Sequence, residues 1–487
     1  MLNLINDPWI PVQRIGGPDV IRPYQIAEPD VLFPNWPRPD LNLACLELLV
    51  GLVYISSPPE NADEWISREA NSKALNDALK PLAPAFNLLG DGPRFMQDIE
   101  KIESKENPLD MLFIDSAGKQ TQSRNSDLMV KRSRYNSISL PLAAMALYTL
   151  QAFAPAGGAG NRTSMRGGGP MVTLVKPNQL GLWPLIWANV PCGYPLENEL
   201  NELPWMRPTI TSEKGQVVTP PEQFGDENPS PEVFFGMPRR LRLKANGDRL
   251  VSVRQVPWGT NYEGWIHPLT PYYQKNIERL PKHPKPGTFG YRNWRGILLQ
   301  TENSNIPGCL DRWRREQPLC KARLVVGGWA MSNMSPLDFL WSEQPIFPLD
   351  SGGENRAARL VEAAEQASYL LAKGVQECKG ESEITSGVAN RVREVFFVQT
   401  QPQFENSVQK IIEGEEHLEH DWLAILRKTA LSIFDAEVMP GLVDLQESRR
   451  SKVVLERRNL LSNFRGYGTT GKKIYTALEF ELPKRIR

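Results

Sequence analysis

Groups that do chemistry at neutral pH are scarce in this chain. There are four histidines (His267, His283, His417, His420) and five cysteines (Cys45, Cys192, Cys309, Cys320, Cys378). No CxxC pair occurs, and Cys309 and Cys320 stand eleven apart, a spacing that fits no common zinc site. The cysteines read as free thiols in a reducing compartment, with no metal and no other cofactor expected. Two phosphate-binding fingerprints are absent as well. No lysine follows the glycine clusters to complete GxxxxGK[ST], and Gly158-Ala159-Gly160 runs on into Asn161, Arg162 and Thr163 instead of completing GxGxxG. The opening MLNLINDPWIPV has neither a basic region nor a cleavage site, so no signal peptide is read there. No apolar run reaches about 18 residues, which leaves no membrane-spanning helix. The expected location is the cytoplasm, with no membrane partner. An excess of one charge is missing too, since 56 Lys and Arg balance 56 Asp and Glu. A protein that holds nucleic acid unaided usually carries a basic excess. Any such contact must therefore come from a local patch or be shared with partners.

What is present is length and proline. The 487 residues include 42 prolines, which implies many irregular connections between short elements. The length allows two to four domains, or one large irregular domain and a smaller one. Residues 1–40 read as short strands broken by prolines. Residues 41–55, LNLACLELLVGLVYI, are apolar nearly all round and predict a buried helix that starts after Pro39 and Asp40. Residues 62–79 read as one amphipathic helix, 81–140 as irregular chain, and 233–326 as strands alternating with loops. From about residue 350 helical patterns take over, near 355–378, 386–412, 419–438 and 443–464. Short connections between them argue for an antiparallel bundle. The fold class expected is thus α+β: a large irregular mixed α/β N-terminal domain (1–350) followed by a C-terminal antiparallel four-helix bundle (351–487).

The stretch from 150 to 175, LQAFAPAGGAGNRTSMRGGGPMVTLV, gathers the most suggestive chemistry. A helix (141–153) leads into two glycine clusters, Gly157, Gly158, Gly160 and Gly167, Gly168, Gly169, and a strand-like MVTLV follows. Glycine lets a backbone approach another surface closely, and arginine supplies fork-shaped donors for phosphates or base edges. Such a connection is most often only a loop. Here, however, seven basic residues (Lys119, Arg124, Lys131, Arg132, Arg134, Arg162, Arg166) face one acidic residue, Asp127, between 119 and 166. The cluster Lys131-Arg132-Ser133-Arg134-Tyr135-Asn136 mixes cations, an aromatic and an amide, which suits phosphate and base contacts. Further on, 324–339 reads as a β run that breaks at Gly327-Gly328 and then presents Trp329, Met331, Ser332, Asn333 and Met334. An exposed tip of that kind could wedge into base pairs. His267, in the proline-locked turn WIHPLTP, reads as a structural hydrogen-bonder.

Together these stretches resemble the CasA-type large subunit (Cse family) of the type I-E CRISPR Cascade surveillance complex. NLINDPWIPV (3–12) is similar to that family's opening. GGAG with MRGGGP (157–160, 165–170) is similar to its glycine loop and following RGG. WIHPLTP (265–271) is similar to its W-x-H-P turn, and GGWAMSNMS (327–335) to its wedge region. The resemblance implies a subunit that is not an enzyme. It would read the protospacer-adjacent motif of double-stranded target DNA from the minor groove, open the duplex for pairing with CRISPR RNA, and recruit a helicase-nuclease. Its partners would be the backbone, small and handle-binding Cascade subunits. By position it implies a loop of Gly157, Gly158, Ala159 and Gly160 flanked by Asn161, Arg162 and Arg166. It also implies a wedge of Ser332, Asn333 and Met334, a basic finger at Arg254, and a basic loop including Lys131, Arg132 and Arg134. Many members carry glutamine at the wedge tip, where this chain has Asn333.

Two other classes stand beside that one. A metal nuclease would need clustered Asp, Glu or His beside the basic patch, and between 119 and 175 there is one acidic residue and no histidine. A purely architectural subunit, with an inert glycine loop and no motif readout, needs none of these features.

Overall fold

The computed structural model describes residues 2–116, 118, 122–125, 131–158, 160–196, 199–379, 383–444 and 446–483, with backbone alone at 383–386 and 444. Two compact units are formed: Met1–Pro286 with Ile306–Pro345, and Gly287–Asn305 with Ile346–Arg487.

The first unit is built on helix α1 (Pro39–Ser56), in which every residue but Pro39 and Asn42 is buried. Pro39 in the first turn has the φ a helix start needs, and Asp40 beside it suits the positive end of the helix dipole. At 18 residues α1 is long and apolar enough to cross a bilayer, which corrects the expectation that no run reaches that length. Burial of 89% of it inside the unit marks it as a core helix. The single amphipathic helix expected over 62–79 is instead two, α2 (Ala62–Ser67) and α3 (Ser72–Leu79). Each has its own asparagine cap. Asn61 accepts from the Glu64 amide and Asn71 from the Ala74 amide, both at 3.0 Å, so Asn71 starts a second helix where one was expected to continue. Helix α4 (Leu140–Phe153) begins at the Ser139 cap and is buried along most of its length.

Small antiparallel sheets surround these helices. Strands β1 (Ile10–Arg14), β2 (Gly17–Ile21) and β3 (Val31–Pro34) form one, in the order β2-β1-β3. In a second, β8 (Arg249–Val256) pairs with β7 (Arg240–Asn246), and with the short β4 (Glu106–Asn107) and β5 (Ile138–Ser139). A hairpin joins β9 (Tyr272–Lys275) to β10 (Glu278–Pro281). A further sheet holds β6 (Val172–Pro177), β12 (Ala322–Ser332) and β13 (Ser335–Pro345), with β12 in the middle.

The second unit is helical: α5 (Ser351–Lys379), α6 (Glu383–Ile412), α7 (Leu418–Val438), α8 (Glu447–Asn463) and the short α9 (Gly468–Ala477), which was not expected. Segment Gly287–Asn305, with strand β11 (Ser304–Asn305), belongs here, although the boundary expected at residue 350 placed it in the N-terminal domain. The reason is its aromatics. Tyr291 stacks on Phe404 at 4.2 Å between ring centroids, and Trp294 packs edge-on to Phe404 at 5.2 Å. The Trp422 indole donates to the Leu360 carbonyl at 3.0 Å. Glu419, in the first turn of α7, pairs with Arg356 of α5 at 2.6 Å, while α8 reaches α7 through Arg457 and Asp435 at 2.8 Å.

Candidate nucleic-acid interface

After α4 the chain folds back on itself, and the two glycine clusters separate. The Ser164 amide donates to the Ala154 carbonyl at 2.9 Å, and the Gly169 amide to Phe153 at 3.2 Å. Between these ties Gly157 and Gly158 turn outward. Asn161 braces that turn: its amide donates to Gly158, its side chain donates to the Gly157 carbonyl at 3.0 Å, and it accepts from Gln255 on β8 at 2.5 Å. Gly158 (φ +85°) and Gly160 (φ +74°) both have left-handed backbones that a side chain would strain. Their surroundings differ. A Cβ at Gly158 would meet nothing within 4 Å, whereas one at Gly160 would lie 2.8 Å from Pro257 and 2.9 Å from Trp258. Trp258, itself at φ +68°, donates its amide to the Gly160 carbonyl at 2.7 Å. Gly157 and Gly158 are exposed, and Ala159 lies outside the described residues.

The second cluster is covered. A Cβ at Gly167 would lie 2.9 Å from the His283 ring, at Gly168 2.8 Å from the Met334 sulfur, and at Gly169 2.5 Å from the Trp329 carbonyl oxygen. The β12–β13 hairpin thus rests on bare backbone. Its strands pair up to Ser332 and Ser335, and the two residues between, Asn333 (φ +47°) and Met334 (φ +63°), have the positive φ pair that a type I′ turn requires. Ser332, Asn333 and Met334 are exposed, and Met334 keeps 45% of its surface. The break expected at Gly327-Gly328 does not occur, and β12 runs straight through. Gly327 pairs with Val172 on one side and Trp341 on the other, and a Cβ there would lie 2.7 Å from the Leu43 side chain of α1. These glycines allow close approach within a strand.

The basic residues divide sharply. Arg166 is not presented to a ligand: it is buried, donates to Glu47 of α1 at 2.6 Å and to Thr270 at 3.2 Å, and leaves no fork for DNA. Its place among the DNA-binding residues is corrected on that ground. Around it lie Tyr148 and His267. Tyr148 lies 3.5 Å from Glu47 and donates to the Phe234 carbonyl at 3.0 Å; His267 Nε2 sits 3.6 Å from Glu47. Burial raises the Glu47 carboxyl above its usual range, against the pull of Arg166. Burial, and then Arg166, push His267 well below its own. His267 is the structural hydrogen-bonder expected, accepting the Leu269 amide at 3.1 Å.

Arg134 is also spent internally. It grips Asp115 at 2.6 and 2.9 Å and Asp110 at 3.3 Å. Burial pushes the Asp115 carboxyl up, but the forks of Arg134 and Arg38 outweigh that and hold it below its usual range. The outward basic residues are fewer than the linear count suggests. Lys131 and Arg132 are exposed, and Arg132 bonds the Gln122 carbonyl at 2.7 Å. Arg162 is half-buried, donates to Ser212 at 2.8 Å and lies 5.9 Å from the Trp258 ring centroid. Arg254 on β8 is half-exposed and shares Glu106 with Lys244. Lys119 and Asp127 lie outside the described residues. Sequence reading missed Glu47 and Asp115. The signal for Glu47 was there, as the one charged residue in the apolar stretch 41–55. Asp115 had none.

Comparison with known proteins adds a family to this geometry. Residues 3–433 match the family described as CRISPR-associated protein Cse1. CasA (Cse1) of Thermus thermophilus aligns with a TM-score of 0.74 at 18% identity, covering 95% of this chain and 98% of that one. Thermobifida fusca Cse1 aligns with a TM-score of 0.71 at 15% identity, covering 98% of both. A chain of a CRISPR RNA-guided surveillance complex aligns at 0.67 and 13% identity, over 95% of this chain and 99% of that one. At such identities the structural likeness is one of fold.

Proposed function

This chain belongs to the CRISPR-associated Cse1 family, the CasA-type large subunit of an RNA-guided complex, and from that premise we propose that it reads the protospacer-adjacent motif of duplex DNA from the minor groove and starts opening the duplex. The observation that carries this reading is the contact between Met334 and Gly168. It seats an exposed apolar tip on the same loop that holds out the bare backbone of Gly157 and Gly158. The minor groove is narrow and its hydrogen-bond code nearly degenerate. A glycine backbone enters where a bulky side chain cannot, and such a reader tolerates several motifs. Lys131, Arg132, Arg162 and Arg254 would meet phosphates around it. Unstacking a base step costs a few kcal/mol, and the RNA–DNA heteroduplex then replaces the lost pairing almost evenly. Lowering that first barrier needs no catalytic group. A neutral chain suits the role if CRISPR RNA and the other subunits supply the remaining electrostatics, and a helicase-nuclease would act on the opened target.

The test is an electrophoretic assay of the reconstituted complex on duplexes carrying every motif permutation at fixed salt. Motif-dependent opening should require this chain and be lost with Asn333→Ala and with Gly158→Trp, whose Cβ would have nothing within 4 Å and whose side chain would cover the bare backbone. Equal discrimination with and without the chain would mean an architectural subunit.

A further inference from the structure

Beneath the glycine loop lies a charge that none of the preceding readings uses. Arg239, at the entrance to β7, is 6% exposed. Its backbone is clamped by Gln151 of α4, which accepts from the Arg239 amide at 3.0 Å and donates to its carbonyl at 2.9 Å. Its side chain rises to the loop, where Nη2 donates to the Pro155 carbonyl. A Cβ on Gly157 would collide with Nη1 and lie 3.0 Å from Nη2. Gly157 is therefore the lid over a guanidinium, and only a residue without a side chain lets the two stack. Among the described residues no carboxylate forms an ion pair with Arg239, and its Nε is buried without a partner. Burial alone pulls its pKa down to about 10, so it is charged at neutral pH. The contrast with Arg166 and Arg134 is direct, because each of those holds a carboxylate.

A buried cation without a counter-ion is expensive, and here it sits under exposed backbone on the face proposed to meet DNA. We propose that Arg239 is the phosphate receptor of the glycine loop: a backbone phosphate of the target duplex, seated on Gly157 and Gly158, becomes the counter-ion this guanidinium lacks. The inference rests on the minor-groove reading for its choice of DNA. A charge-assisted contact to phosphate is strong and blind to sequence. It would therefore hold the loop in register without choosing a motif.

That blindness separates its test from the test of motif reading. DNA capture by the assembled complex is measured across a salt series, for wild type and Arg239→Gln, on several motifs. The expected result is a loss of about tenfold on every motif, with the slope of log K against log salt falling by about 0.9, the value for one phosphate. Motif preference stays unchanged. A folded Arg239→Gln complex with the wild-type slope overturns the proposal, whatever becomes of motif preference. Loss of motif preference in the Asn333 and Gly158 variants concerns only the earlier reading. If Arg239→Gln does not fold, uncharged methylphosphonates are placed one at a time along the duplex offered to the wild-type complex. One phosphate beside the motif should then prove sensitive even in a complex whose Lys131, Arg132, Arg162 and Arg254 are replaced by glutamine. The absence of any such position overturns the proposal.

Discussion

Six glycines of one loop do two different jobs. Gly158 keeps a side chain off a surface that faces outward, and Gly157, Gly160, Gly167, Gly168 and Gly169 keep them off places already occupied, by Arg239, by Pro257 and Trp258, and by His283, Met334 and Trp329. In composition the clusters are near twins. They differ in what a methyl group would strike: open space above Gly158, a carbonyl oxygen at 2.5 Å from Gly169. Glycine density therefore marks close approach but does not say to what. Their arginines follow the same division, since Arg162 beside the first cluster keeps part of its surface while Arg166 beside the second is locked to Glu47.

The sharpest way to break this comparison is to cut the buried lock. Glu47→Ala leaves the buried Arg166 without a counter-ion and should cost about 3–5 kcal/mol, read as a shift of the denaturant midpoint. Arg162→Ala should cost less than about 1 kcal/mol. Equal losses would show that the two arginines are not differently placed. Next comes the pair Gly169→Ala and Gly158→Ala. The first adds a steric clash to a left-handed backbone and should destabilise by about 3 kcal/mol, the second by about 1 kcal/mol from strain alone. Acid sharpens the picture of the buried side. Unfolded histidine takes up a proton below about pH 6.5, whereas His267, held below that by burial and Arg166, does not. Its contribution is complete above pH 6.5 and is lost as pH falls toward its folded pKa, with a slope of at most about 1.4 kcal/mol per pH unit. Glu47, raised by burial, works in the opposite sense: its contribution is complete below the ordinary carboxylate range and is lost as pH rises above it. His267→Gln should flatten the profile between pH 6.5 and 5 in thermal melts. The smallest effect is expected at the tip. Met334→Gly relieves a left-handed methionine and should stabilise by about 1 kcal/mol, while weakening duplex opening.

Much of this fold was legible where residues interact with near neighbours. Helices α1 and α4 and strand β6 announce themselves because an apolar run with one period has one way to be buried. The exposed tip at 332–334 was legible as well, from small and polar residues between two β runs. Distant pairings were not. Arg166 counted as a surface charge because its partner, Glu47, is 119 residues away, and Arg134 likewise because Asp115 had no signature. A linear count adds formal charges and has no term for their neutralisation across the fold. Gly327 and Gly328 read as a break because glycine weakens strands on average, whereas α1 and Pro170 crowd this strand and demand it. Segment 287–305 has no period at all. What assigns it to the helical unit is the shape of Tyr291 and Trp294 against Phe404.

The central position of β12 also has a history in time. Its neighbour β6 leaves the ribosome first, and its pairing partners, Val175 with Leu324 and Val172 with Gly327, are separated by about 150 residues of chain. At translation rates of about 5–20 residues per second, that strand waits about 7–30 s for its mate. Through that interval a largely apolar strand and the glycine bed before it are made but unroofed. The loop proposed to meet DNA is thus among the last parts of its unit to be completed, finished only when the β12–β13 hairpin arrives to cover its inner half.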